Sequence, residues 1–210
     1  MSVSDISGLQ YPIGQFQFNP QISAEERHRL IVGYVIFPDM LQTAVDGLTE
    51  AQLDTRYRPG GWTVRQVVHH LAESHMNAYV RFKLTLTEKE HKAVVADEAA
   101  WAEMEDSRRG PIAVSLDLFR ALQQRWVLAI QAISSADFDR KLWHPAWGTV
   151  SVDYLVQGCA WHARHHIAHI TSLRERMGWV SSTIFLSYLY LVWRKIGFCR
   201  FLDWDSRRVI

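Results

Sequence analysis

The sequence predicts an all-α protein, a four-helix bundle with a long connection between its second and third helices. Three observations lead there: four long stretches place apolar residues three and four apart, no stretch alternates with period two, and Gly- and Pro-containing breakers separate the stretches. The 210 residues suffice for one well-buried domain and are few for two.

The residues from Met1 to about Asn19 contain Gly and Pro without periodicity and predict an arm on the domain surface. Ser23 and Glu26 form a capping box that opens the first helix. Pro38 is expected to kink or break that helix before it resumes to about Leu48. Thr49 and Gln52 form a second box, for one short turn, and Arg58-Pro59-Gly60-Gly61 is a breaker. Thr63 and Gln66 cap a long second helix to about Leu86. Residues 88–111 read as a connection with at most short helical pieces, part of it packed on the bundle. A third helix is predicted from about Val114 to Ile133, with apolar residues at helical spacing at Leu118, Leu122, Trp126, Ala129 and Ile133. Pro145 and Gly148 mark a loop, and Ser151 begins a fourth helix that Gly178 stops. Residues 1–179 thus make the bundle, and 180–210 an apolar and basic extension. Its apolar stretch, Thr183 to Trp193, is too short to span a bilayer, and the extension enters no functional argument.

With 23 basic and 22 acidic residues the net charge is +1, which excludes a charge-driven nucleic-acid or anionic-membrane partner. Cys159 and Cys199 form neither a metal motif nor a disulfide framework. That usage suits a reducing cytosol, and the first residues carry no signal-peptide pattern, so a cytoplasmic location is expected.

Seven of the ten histidines fall in two clusters. On the fourth helix Val152, Leu155, Cys159, His162, His166, Ile170, Leu173 and Met177 form one seam, with two imidazoles where aliphatic side chains would stabilise more. Residues four apart stand roughly 6 Å apart along the axis, close enough to share an ion. On the second helix His70 lies with Val67, Leu71 and Ser74, whereas His69 lies with Arg65, Gln66 and Glu73 and is expected to face outward. His70, His162 and His166 are therefore the expected metal ligands, with coordination positions left open as in catalytic sites. A lone inward histidine is usually a hydrogen-bonded core residue, but three on two facing seams argue for a ligand set. His165 and His169 are the rival pair, His169 also being a candidate to orient a ligand. Glu73 and Glu175 are candidate bases, Arg81 and Lys83 candidate anion holders, and Trp62, Tyr79, Trp101, Trp143 and Trp147 candidate pocket walls; for each, surface or packing roles are the commoner use.

The stretch Gly61-Trp62-Thr63-Val64-Arg65-Gln66-Val67-Val68-His69-His70-Leu71-Ala72, with Ser74 to Asn77 and Arg81 to Leu84, resembles the YfiT group of the DinB-like superfamily. Tyr11-Pro12-Ile13-Gly14, His144-Pro145, the run Trp161 to Ile170 and Arg176-Met177-Gly178-Trp179 agree in order, so the match covers about residues 9–179. The resemblance implies a four-helix bundle, a homodimer, and one divalent metal ion per chain, zinc or nickel, on His70, His162 and His166. YfiT-like proteins are described as metal-dependent hydrolases, and related members transfer low-molecular-weight thiols such as bacillithiol or mycothiol. Such a site acidifies bound water for hydrolysis, or stabilises a thiolate that attacks an electrophile. The expected partners are accordingly a thiol and an electrophile, or a hydrolysable small molecule. Hydrolysis calls for a positioned base, and the sequence offers no obvious one near the ligands, so thiol transfer is the first expectation and hydrolysis the second. The competing class is a non-catalytic metal-binding stress-response bundle.

Overall fold

The computed structural model describes residues 8–179. Four long helices form its body: α1 (Ala24–Val45), α3 (Val64–Thr87), α6 (Ile112–Gln131) and α7 (Val152–Arg176). Between them lie the short helices α2 (Glu50–Leu53), α4 (Glu98–Ala102) and α5 (Glu105–Arg109), and a 3-10 turn at Ser135–Asp139. The capping boxes at Ser23, Thr49 and Thr63 are all formed, each side-chain oxygen taking an otherwise unpaired backbone N–H of the first turn.

The helix α1 runs unbroken through Pro38, against the expectation of a break there. Burial outweighs the lost backbone hydrogen bond: the proline is itself buried, between Tyr34, Phe37 and Leu41, all in the core. The Tyr34 hydroxyl donates to the Val156 carbonyl of α7 at 2.8 Å, a buried tie worth about 1 kcal/mol net. The helix α7 stops where its glycine predicts. Gly178 has φ +67°, and the Gly178 and Trp179 amides donate back to Glu175 and Arg174 in the Schellman pattern.

The all-α body carries one addition that the sequence reading did not foresee, a small three-stranded sheet. β1 (His91–Lys92) runs parallel to β2 (Lys141–His144), and β2 turns back as β3 (Gly148–Ser151), with His144 opposite Gly148. Leu142 and Val150 point inward from it onto Ala93 and Leu155. The strands are too short for a period-two pattern to register. The expected long connection, 88–111, packs on α3 as foreseen. Arg65 donates to the Gly110 carbonyl at 3.0 Å and Gln66 to the Ala102 carbonyl at 2.7 Å.

The arm lies along α7. Gln157 exchanges hydrogen bonds with the Asn19 backbone, the Trp161 indole donates to the Gly14 carbonyl at 3.3 Å, and Phe16 packs edge-on against Tyr154. Among the described residues no helix is long and apolar enough to cross a membrane. The extension 180–210 lies outside the described residues.

Candidate metal centre

His70 from α3 and His162 and His166 from α7 converge. One ring nitrogen from each lies within 4.8 Å of the others, the only such group of three potential ligands among the described residues. The ring centroids stand 4.5–5.2 Å apart. The Nε2 atoms of His70 and His162 are 3.2 Å apart. Two imidazoles on one tetrahedral zinc, at Zn–N distances of about 2.0–2.1 Å, hold their nitrogens roughly 3.3 Å apart, so the spacing fits a shared cation.

Burial disfavours the charged form of each ring, and each protonated neighbour would repel the next. His70 is pushed down to about 4 by burial, and His162 and His166 lie well below the usual histidine range. At neutral pH all three therefore present lone pairs, as metal ligation requires.

The chain around the three rings fixes their orientation. His169 Nε2 donates to the Gln10 carbonyl at 3.0 Å, which leaves its Nδ1 to accept from His166 Nδ1 at 3.3 Å. The Nε2 lone pair of His166 is thereby left toward the cluster. Tyr57 stacks on His169 with centroids 3.9 Å apart, and Trp62 packs over His70 at 4.5 Å. These two aromatics flank the Arg58–Gly61 breaker. Gly60 has φ +69°, and a Cβ on Gly61 would come within 3.0 Å of the Tyr57 ring and 2.8 Å of the Arg58 side chain, so both glycines are dictated by the turn.

His165 and His169, the rival pair, do not join the convergent group. His165 stacks on Trp161 at 4.4 Å, and both nitrogens of His169 are engaged as described. His69 is not outward as expected. It is buried, donating from Nε2 to the Gly110 carbonyl at 3.2 Å and accepting at Nδ1 from Ser115 of α6 at 2.7 Å. The connection 88–111 and α6 cover the face that the helix wheel assigned to solvent.

Two cavities meet at the histidines. One, of about 360 Å³, is lined by His70, His162, His166, Trp62, Tyr57 and neighbouring residues. The other, of about 450 Å³, runs between α3 and α7 below His162, past Ser74, His75, Ala78 and Arg81 on one side and Leu155, Gly158 and Cys159 on the other. Tyr11, His162 and Glu98 line both.

Three of these residues were not among the functional candidates that the sequence offered. His75 is buried with Nδ1 on the Gln123 side chain at 2.8 Å, while its Nε2 meets no protein partner. Its ring lies 5.6 Å from that of His162. The apolar seam through Val68, Ala72 and Phe82 could have located it. Ser74 lines the second cavity beside it. Glu98 sits on the connection, where no periodicity aims a side chain. Glu98 lines both cavities from a position that is still exposed to solvent, and partial desolvation raises its carboxyl above the usual carboxylate range against the pull of Arg81.

Of the weaker candidates, Cys159 lines the second cavity, but burial pushes its thiol up to about 12, too high for a thiolate at neutral pH. Trp62 and Trp147 are cavity walls; Tyr79 packs on Trp126 instead. Glu73, whose carboxyl burial and Asp106 raise, lines neither cavity; Glu175, Lys83 and Trp143 are exposed.

Comparison with known proteins agrees with this architecture. The DinB superfamily model matches residues 34–170. A Bacillus subtilis protein named "Putative metal-dependent hydrolase YfiT" is 44% identical over 172 residues, 81% of this chain and 97% of its own. A similarly named protein of Bacillus mycoides is 46% identical over 171 residues, 81% of this chain and 98% of its own. The solved YfiT structure from Bacillus subtilis, described as "a probable metal-dependent hydrolase with an unusual four-helix bundle topology", superposes with a TM-score of 0.81 at 44% identity. It covers 82% of this chain and 99% of the YfiT chain.

Proposed function

The chain belongs to the DinB superfamily, and on that premise we propose that it is a metal-dependent enzyme acting on a small molecule, with His70, His162 and His166 holding one divalent cation, zinc or nickel. The convergence of three neutral imidazoles beside two cavities, with no fourth ligand in the group among the described residues, is the observation that carries this reading. A divalent cation held by these three histidines would supply Lewis acidity, lowering the pKa of a water or thiol and polarising an acyl oxygen.

The chain's own residues do the rest. His169 and Gln10 hold the His166 tautomer, Trp62 and Tyr57 wall the cluster, and Glu98 offers a carboxyl that opens on the cavities beside the ligands. That carboxyl is the base which the sequence did not display. A raised pKa brings it nearer the working pH, where proton transfer is most efficient. Hydrolysis is therefore the better supported reaction, and it agrees with the names of the relatives.

Thiol transfer is supported by a different observation. Two cavities sharing His162 give room for two reactants, a thiol on one side and an electrophile on the other. The deciding experiment compares metal-loaded with chelator-stripped protein on an ester and amide panel. A parallel panel offers bacillithiol, mycothiol, glutathione and cysteine with a model electrophile. One metal per chain and metal-dependent turnover in either panel is the expected result. Turnover indifferent to the metal, or no metal retained, would overturn the reading.

A further inference from the structure

Arg81 is a permanent cation that forms no ion pair among the described residues. It stands on α3 eleven residues after His70, roughly 16 Å along the helix between Cα atoms. Arg81 and His162 line the same 450 Å³ cavity from α3 and α7. One nitrogen of Arg81 makes a long hydrogen bond of 3.4 Å to the Val94 carbonyl, and the guanidinium carbon lies 5.8 Å from the Trp147 ring centre. Its Nε is buried and has no hydrogen-bond partner. Glu98 lines the same cavity and acts on Arg81 through space, without an ion-pair contact. A half-buried guanidinium left so is costly unless something anionic completes it.

The rest of the cavity is shaped for an organic molecule. Phe16, Trp147, Tyr154, Leu155 and Trp161 supply apolar and aromatic wall, and the far end is closed by His162. His75 lines the wall between the two ends, its Nε2 buried without a hydrogen-bond partner. A volume of about 450 Å³ falls within the range of small-molecule sites.

We propose that this cavity binds a small organic carboxylate. Its carboxylate pairs with Arg81, its apolar body lies among Phe16, Tyr154 and Trp161, and its reactive end reaches His162. The proposal rests on the reading of the three histidines as a metal centre, and adds to it the class of substrate: an ester, amide or electrophile that carries a remote negative charge. Arg81 is then the residue that selects for charge and sets the distance between the charged and the reacting ends. Uncharged analogues of equal shape bind less well, because they leave the guanidinium unpaired.

The test titrates phenylacetate and its neutral isostere phenylacetamide into the full chain by calorimetry, with the metal loaded and again with a chelator present. Wild type is expected to bind the acid at least tenfold more tightly than the amide in both conditions. Arg81→Met is expected to abolish the preference, and Arg81→Lys, which keeps the charge, to retain part of it. Thermal melts of both variants check that the fold is intact. Equal binding of acid and amide, no binding of either at millimolar concentration, or a preference that survives Arg81→Met would overturn the proposal. A preference that disappears on chelation would also overturn it, because the carboxylate would then be seated on the metal, and the metal reading itself would stand.

Discussion

Nδ1 of His166 lies 3.3 Å from Nδ1 of His169, and the far nitrogen of His169 is fixed by the Gln10 carbonyl at 3.0 Å. This chain of contacts makes an arm outside the bundle responsible for the direction of a lone pair inside it. His169→Phe keeps a ring against Tyr57 but removes the acceptor. Metal affinity is expected to fall ten- to a hundredfold, measured by competition with a chromogenic chelator. Unchanged affinity would show that His166 needs no such support.

His166→Ala removes one of the three convergent nitrogens. Metal stoichiometry is expected to collapse and turnover with it, while the apo-protein melts close to wild type, because the lost ring was buried at a cost. A large fall in melting temperature with activity preserved would leave the metal as a structural element only, and the catalytic assignment would fail.

These side chains divide cleanly by how they appear in the sequence. His70, His162 and His166 sit on regular apolar seams, so helical periodicity alone aims them inward, and the three capping boxes set where their helices begin. The inner face of α6 was harder to read. Leu118, one of the apolar residues at helical spacing, is 43% exposed, while Ser115 and Gln123 are buried. Those two polar residues break the hydrophobic pattern because they are the partners of His69 and His75. A buried polar pair is invisible when either half is read without the other. Glu98 and the three-stranded sheet come from segments whose position is set by tertiary contacts rather than by local pattern, and Pro38 is tolerated for the same reason.

The buried histidines also make the metal-free protein acid-sensitive. Burial pushes His70 down to about 4 and His75, with a contribution from His70, to about 3. Both lie below the value of about 6.5 in an unfolded chain. Between those values the unfolded chain takes up protons that the folded one refuses. The stability these neutral rings contribute is therefore complete above about pH 6.5 and is lost as the pH falls toward 4 and 3. At 1.36 kcal/mol per pH unit, each such ring costs on the order of 1–2 kcal/mol between pH 6.5 and 5. Urea midpoints in chelator at pH 7, 6 and 5 should fall in that order. Metal-loaded protein should hold its midpoint until protons displace the ion. A flat profile in chelator would mean that these rings are not buried neutral.

Glu98 separates the two reactions that the metal centre supports. If its carboxyl transfers protons during hydrolysis, Glu98→Gln should lower kcat by about 10²- to 10⁴-fold and leave metal stoichiometry unchanged. The acidic limb of the pH–rate profile should disappear as well, since the titrating group is gone. Gln is nearly isosteric and Glu98 makes no ion pair among the described residues, so the substitution should not disturb the fold. A thiol made reactive by the metal needs no separate base, because binding itself favours the thiolate. Thiol transfer should accordingly lose no more than a fewfold rate in the same variant. A large loss in the ester panel with a small one in the thiol panel would assign Glu98 to hydrolysis. Equal losses in both, with KM rather than kcat changed, would make Glu98 a wall of the cavities and remove the base from the mechanism.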